Sequence, residues 1–389
     1  MEFKEYKLDD VCLKITDGSH YSPKNDENSK ISMLSVKDML TYDFNYNDCK
    51  HISEEEYNKM KRNDCVPKIG DVLVAKDGSY LKEIFVNKRD NKKAILSSIA
   101  IFRPNTSIIL PEYLCYLLKS PKVYNYTRNN CVSGSALPRI ILKSFKNIPI
   151  EIATIENQTK IVNILSKLDK KIQLNNQINN NLNKIMKLNF NQWVENIKDY
   201  ELSNLSSIAN YKNGLAMQKY RPVNEDGLPV IKIKEMNSGI SSDTERCRSN
   251  IDKDVIVNNG DILFAWSGTL CMTIWSGGKA GLNQHIFKVT SEQYPKWFYY
   301  FWTLKHLDNF IQIAAGKATT MGHIKREELD KSIVYIPNKE ELNNMNKLME
   351  PLMDKFINNK IENNKLEQLR NTLLPKLMNG EINLDKVEL

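Results

Sequence analysis

The chain has 389 residues, 41% of them hydrophobic, and a formal net charge of +8, enough length for two core-forming domains with connecting elements. No apolar run approaches the roughly 20 residues that cross a bilayer, and MEFKEYKLDD is too polar for a secretory signal. Seven scattered cysteines without a C-x-x-C pair fit a reducing cytoplasm, not a disulfide framework or a zinc site, and the mild positive excess permits a polyanionic partner without requiring one.

Residues 1–152 predict a mixed α/β block. Short β-rich runs such as Asp71 to Ala75 and Ser98 to Pro104 are bounded by Gly, Pro, Asn and Asp. A helix should follow Pro111, because Tyr113, Leu114, Leu117 and Leu118 share one face. The block closes at Ile148 to Ile152.

Residues 153–197 change period and contain no Pro or Gly between Thr154 and Val194. Ile161, Leu165, Leu168, Ile172, Ile178 and Leu182 form an apolar stripe that Ile185 and Leu188 extend, which predicts a long helix with a seam for a second one. Its many asparagines weaken helix propensity, so it should depend on that partner. A second α/β block over 198–338 and a second helical segment over 339–389 follow. The latter carries its seam at Leu348, Leu352, Phe356, Ile361 and Leu366; Pro351 should start or kink it, and Gly380 should stop it.

The second half repeats the first with a period of about 190 residues, long enough for one α/β block with its helix. Lys68 to Ser79 (KIGDVLVAKDGS) returns as Asn258 to Thr269 (NNGDILFAWSGT), and Leu110 to Leu118 returns as Tyr294 to Trp302. The fold class predicted is α+β: two similar mixed α/β domains, each followed by a long helix. The two helices should pair as an antiparallel coiled coil about an internal pseudo-two-fold axis. Helices of about 60 Å would span roughly 18 base pairs of duplex, so two heads on such a rod suit a ligand with two similar halves.

Phosphate-binding, dinucleotide, metalloprotease and nucleophile-elbow motifs are missing, and the five histidines show no metal-ligand spacing. The sequence therefore predicts no catalysis by this chain. Candidate contacts to nucleic acid lie in loops beside the strands. Thr16, Asp17, Ser19 and His20 flank Gly18, and their counterparts are Tyr211, Lys212 and Asn213, with Tyr220 and Arg221 just beyond. Lys76 and Ser79 answer to Trp266 and Ser267. Ser133, Ser135, Arg139 and Lys143 answer to Lys317, Thr319, Thr320 and Lys325. Small hydroxyls, amides and cations at such places suit phosphate contact. Asn283, Gln284 and His285 offer the amide chemistry that reads adenine, and Ser97 to Ala100 stands in their place in the first half. Lys37 adds a cation to the first block, and Lys232 and Lys234 alternate with Ile231 and Ile233 as one face of a strand. The same loops serve equally well as turns, Trp266 as core, and Asn283 to His285 as a buried hydrogen-bond network.

Taken together these residues resemble the specificity subunit of type I restriction-modification systems. The resemblance rests on the repeat plan, the GDVLVA and GDILFA strands, LNQHIF at Leu282 to Phe287, SGSALPRI at Ser133 to Ile140, and the closing LLPKLMNGEI. It implies two target-recognition domains, each reading half of a bipartite, asymmetric double-stranded DNA target. It also implies docking of two adenine-N6 methyltransferase subunits and, through them, ATP-driven restriction subunits, in a bacterial or archaeal cytoplasm. S-adenosylmethionine would then sit in the methyltransferase, ATP and Mg in the restriction subunit, and no cofactor or metal in this chain. Other readings are the specificity subunit of a bipartite type II enzyme, a coiled-coil adaptor without DNA readout, and a nuclease or methylase.

Overall fold

A computed structural model describes residues 1–78, 80–134, 138–223, 226–316 and 322–384. The chain forms two compact units, Met1–Asp169 with Gln368–Leu389, and Lys170–Glu367. Each takes in one end of both long helices, so packing divides the chain differently from the four sequence blocks.

In the first unit a four-stranded antiparallel sheet runs in the order Cys12–Asp17, Ile99–Pro104, Val72–Ala75, Ile84–Val86. A three-stranded sheet places Ile31–Leu34 between Lys50–Ile52 and, in parallel, Lys93–Ile95. The ends of the block close as an antiparallel ribbon, Phe3–Lys7 against Pro149–Ala153. The second unit repeats this plan. Its four-stranded sheet runs Asn210–Asn213, Ile286–Thr290, Ile262–Ala265, Cys271–Ile274. A second sheet pairs Leu228–Ile231 in parallel with Ala280–Leu282, and the ribbon joins Tyr200–Asn204 to Ile333–Pro337.

Strand period explains why the repeated VLVA and ILFA runs are apolar throughout. Val72 and Val74 enter one core cluster with Phe102 and Tyr113, whereas Leu73 and Ala75 enter another with Phe44 and Phe85. Ile262 and Phe264 likewise join Phe298 and Trp302, while Leu263 and Ala265 join Val230 and Trp275. Alternate side chains point to opposite faces, and here both faces are buried. Helix Pro111–Lys119 begins at its proline, as expected, and its counterpart Lys296–Ala315 lays six successive aromatics, Trp297 to Trp302, into the second core.

The long helices are Ile155–Asn196 and Lys339–Met378. Pro351 neither starts nor interrupts the second: it is exposed, while Met349 and Met353 beside it are buried and hold that turn. In the first unit Ile161 and Leu165 share a core with Leu374 and Leu377, and Leu168 is half-buried. Arg370 bonds Asp169 at 2.7 Å there, and Asp169 also accepts from Tyr116 at 2.6 Å. In the second unit Ile172 is buried, and Ile178, Leu182, Leu352, Phe356, Ile361 and Leu366 are half-buried.

Three apolar residues expected on the seam are exposed: Ile185 by 45%, Leu188 by 61% and Leu348 by 46%. The inward line instead runs through Asn175, Asn179, Leu182, Met186, Phe190 and Val194, facing Met349, Met353, Ile357, Asn359 and Asn363. Asparagines that looked like helix-weakening surface are the seam itself. Asn175 Nδ2 donates to Asn363 Oδ1 at 2.9 Å, Asn359 Nδ2 to Asn179 Oδ1 at 2.9 Å, and Asn179 Nδ2 to the Phe356 carbonyl at 3.1 Å. Rising numbers on one helix meet falling numbers on the other, so the pairing is antiparallel. A buried amide layer of this kind fixes register at a cost in stability.

Lys360 reaches sideways from this layer to the Ile274 carbonyl, 2.7 Å away, and burial pulls its pKa from 10.5 to about 8.

Two outcomes follow for stability. Asn359→Ala strands the Asn179 carboxamide and should cost about 1–3 kcal/mol in thermal or urea unfolding, whereas Ile185→Ser should stay within about 0.5 kcal/mol. Below about pH 8 Lys360 is charged in folded and unfolded chains alike, and its desolvation opposes folding. Between about 8 and 10.5 the folded chain releases the proton first, so the residue's unfavourable contribution fades as pH rises. The stability advantage of Lys360→Met over the natural chain should therefore shrink across that window.

Candidate nucleic-acid interface

In each unit five chain segments meet at the end of the central strand, joined by backbone hydrogen bonds that recur bond for bond. Gly18 N donates to Ile99 O at 3.1 Å, and Gly214 N to Ile286 O at 3.1 Å. Ser19 N reaches Ile95 O at 2.8 Å, and Leu215 N reaches Leu282 O at 2.9 Å. Lys76 N bonds Ser98 O at 3.0 Å, and Trp266 N bonds His285 O at 3.2 Å. Gly78 N bonds Pro138 O at 2.8 Å, and Gly268 N bonds Gly322 O at 2.9 Å. Ile140 N returns to Lys76 O at 2.9 Å, and Ile324 N to Trp266 O at 3.1 Å. The fifth segment is a capped turn: Ser35 N donates to Asp38 Oδ2 at 2.8 Å, and Lys232 N to Glu235 Oε2 at 3.1 Å. Leu96 N–Leu34 O and Asn283 N–Ile231 O tie that turn to the frame.

The frame assigns equivalent positions that the sequence leaves ambiguous. Ser98, not Ser97, stands where His285 does, so the expected pairing of Ser97 with Asn283 is off by one residue; Ser97 matches Gln284. Arg139 stands where His323 does, Lys76 where Trp266 does, Asp17 where Asn213 does, and Lys37 where Lys234 does. The lysines at 232 and 234 do not share a strand face. The strand ends at Ile231, and Lys232 caps a short helix, Ile233–Ser238. They pair with Glu245 at 2.6 Å and Asp243 at 3.4 Å respectively.

On this common frame the two units carry different chemistry. In the first, Lys76 is buried with its ammonium 3.3 Å from Asp17 and 3.4 Å from Asp77, and His20 stands 3.5 Å from Asp17. Lys76 is thus committed to carboxylates, and the exposed groups around it are His20, Lys37, Ser133 and Arg139. Thr16 is half-buried on its strand, and Ser19 Oγ closes its own turn by donating to Tyr21 O at 2.7 Å. In the second unit aromatic rings replace the ion pair. Trp266 stacks on Phe287 with centroids 5.7 Å apart and lies 6.0 Å from His285 and 6.3 Å from His323. Its indole N–H is buried without a partner among the described residues. Gln284 Nε2 is 3.2 Å from the exposed His285, while Asn283 and Ser267 are buried.

Other candidates are placed elsewhere or serve the core. Tyr211 is buried with its hydroxyl 2.6 Å from Thr303, Lys212 pairs with Asp254 at 3.4 Å, and Asn213 is exposed. Tyr220 lies under the Arg248 guanidinium, 5.0 Å away, beside the exposed Arg221. Lys143 is exposed on the short helix Leu142–Lys146, and Lys325 is exposed 3.6 Å from Glu327. Ser79, Ser135, Lys317, Thr319 and Thr320 lie outside the described residues. The capped turn and His323 escaped the sequence reading. The recurring acid in SVKD and KIKE was a legible signal for the turn, but a lone histidine gave none. Among the described residues no cluster of His, Cys, Asp and Glu could hold a metal ion, and no helix is long and apolar enough to cross a membrane.

A duplicated frame thus displays divergent side chains, and comparison with known proteins places the chain in a family. The chain matches the type I restriction modification DNA specificity domain over residues 1–184 and again over 197–371, and it belongs to that family. The specificity subunit of type I restriction enzyme HindI from Haemophilus influenzae is 29% identical over 199 residues, 49% of this chain and 40% of that protein. The specificity subunit of MjaIX from Methanocaldococcus jannaschii is 24% identical over 284 residues, 64% of each chain. The aligned region thus spans less than two-thirds of either relative. In fold the chain is similar to the type I restriction-modification system S subunit from M. genitalium. The TM-score is 0.57 at 14% identity, covering 97% of this chain and 96% of that one.

The buried ion pair makes a direct prediction. Lys76→Met leaves Asp17 without its ammonium and should cost the first unit about 3 kcal/mol in thermal unfolding. Adding Asp17→Asn, the residue type found at the equivalent Asn213, should recover much of that loss.

Proposed function

We propose that this chain is the sequence-specific DNA-recognition subunit of a type I restriction-modification complex. Each unit reads one half of a bipartite, asymmetric duplex target, and the chain docks two copies of an adenine-N6 methyltransferase subunit and, through them, restriction subunits. In this reading the chain performs no catalysis. S-adenosylmethionine belongs to the methyltransferase, and ATP with Mg to the restriction subunit.

The observation that carries the reading is the pair of matching backbone frames holding unlike side chains. A symmetric target would be met by like residues at equivalent positions; Arg139 against His323 and Ser98 against His285 suit unlike half-sites. Lys37 and Lys234 lie exposed beside each frame, where phosphate oxygens, which position a protein without conveying sequence, would compete with water and with the equally exposed Asp243 for the Lys234 ammonium. Base discrimination then falls to donors and acceptors such as the exposed Arg139 and His285 and the half-buried Gln284.

Mapping N6-methyladenine across the source genome, with and without this gene, tests the proposal. Loss of methylation at one gapped, two-part, non-palindromic motif is the expected result. A methylome that keeps every motif in the absence of the gene would overturn it.

A further inference from the structure

The internal repeat separates two kinds of contact that a static interface usually blurs. Phosphates are chemically identical in both halves of a duplex target, so residues that hold them have no reason to differ between equivalent positions. Base-reading residues must differ wherever the half-sites differ. Lys37 and Lys234 occupy equivalent places on the capped turn and are the same residue type. Arg139 and His323 occupy equivalent places on the last segment of the frame and are not.

Arg139 also has the build of a reading residue. Its backbone is bridged to Asp77 and paired with Ser133, and its neighbours Pro138 and Ile140 are bonded to Gly78 at 2.8 Å and Lys76 at 2.9 Å. Its guanidinium, by contrast, is exposed and makes no hydrogen bond or ion pair among the described residues. Lys76, the cation nearest in the frame, has its charge taken up by Asp17 and Asp77. A fixed backbone with an exposed planar fork limits where two parallel N–H groups can point, which is what bidentate recognition of guanine O6 and N7 demands.

Resting on the recognition reading above, we propose that Arg139 specifies a guanine in the half-site read by the first unit, while Lys37 and Lys234 hold phosphates. His323 is the corresponding specificity position of the second unit.

The test is selection from a randomised gapped duplex library by the full-length chain, tagged and purified from its source cells with the subunits that accompany it. Sequencing the bound fraction gives base preference at every position. Arg139→Lys keeps the charge but not the fork. It should lower the preference for guanine at one position of one half-site by about 10- to 100-fold and leave every other position unchanged. Lys37→Gln should weaken binding equally for all sequences and reduce the slope of log affinity against log salt by about one. His323→Arg should bring a guanine preference to the matching position of the other half-site. Retention of the guanine preference in Arg139→Lys would overturn the proposal, whether affinity falls for all sequences alike or not at all. A natural complex that selects no two-part duplex would instead overturn the recognition reading itself.

Discussion

At Gly18 and Gly214 two backbones come so close that neither residue could carry a side chain. A Cβ would stand 2.2 Å from the Ile95 carbonyl oxygen in the first unit and 2.1 Å from that of Leu282 in the second. Because backbone, not a flexible side chain, is the obstacle, nothing nearby can give way. This approach lets the end of one sheet's edge strand bond in parallel to the loop leaving the other sheet, through Ser19 with Leu96 and Leu215 with Asn283. The two sheets of each unit are thereby locked together at the point where the candidate contact residues emerge. A frame built from peptide groups is indifferent to the side chains it displays. Such a frame can be kept while its displayed residues change.

The exchange of an ion pair for an aromatic stack at the centre of the frame illustrates that freedom. Lys76 and Trp266 both hang from the end of the central strand, and each must fill a largely buried space. The lysine brings a charge into that space and therefore needs Asp17 and Asp77 beside it, since an unpaired buried charge would cost several kcal/mol. The tryptophan brings only an N–H, and its neighbours are uncharged: Asn213 replaces Asp17 and Ser267 replaces Asp77. The substitutions are thus coupled within each unit. They leave an ionic surround in one and an aromatic surround in the other.

Much of the fold was legible because its signals are local and doubled. VLVA and ILFA announce buried strands, Pro111 announces a helix start, and unbroken stretches around residues 154–194 announce a long helix. What escaped depends on tertiary partners. Asn175 and Asn179 read as polar surface, and only the opposite helix, offering Asn359 and Asn363, makes them interior; the neighbouring Ile185 and Leu188 then turn outward. Lys232 and Lys234 read as strand because alternation with isoleucine mimics period two, but the Glu235 carboxylate captures the Lys232 N–H and starts a helical turn. The one-residue misalignment of Ser97 with Asn283 could not be seen without the carbonyls of Ser98 and His285 to fix the register. Candidate contact residues were legible only as positions in loops, since burial of Lys76 or exposure of Arg139 is decided by what folds against them.

The repeat also shows which surfaces answer to the chain itself and which do not. Asn359 and Asn363 repeat the spacing of Asn175 and Asn179, and the four amides bond to one another across the antiparallel seam within one unit. Each copy's partner there is the other copy, so a change in one asparagine would leave an amide of the other unsatisfied. Hydrogen bonding thus favours an amide at each of these places in both copies. Arg139 and His323 stand at equivalent positions but are not paired with each other across the seam, so no such bond holds them alike. Divergence at positions whose backbone is pinned bond for bond is what the proposed reading of two unlike half-sites calls for.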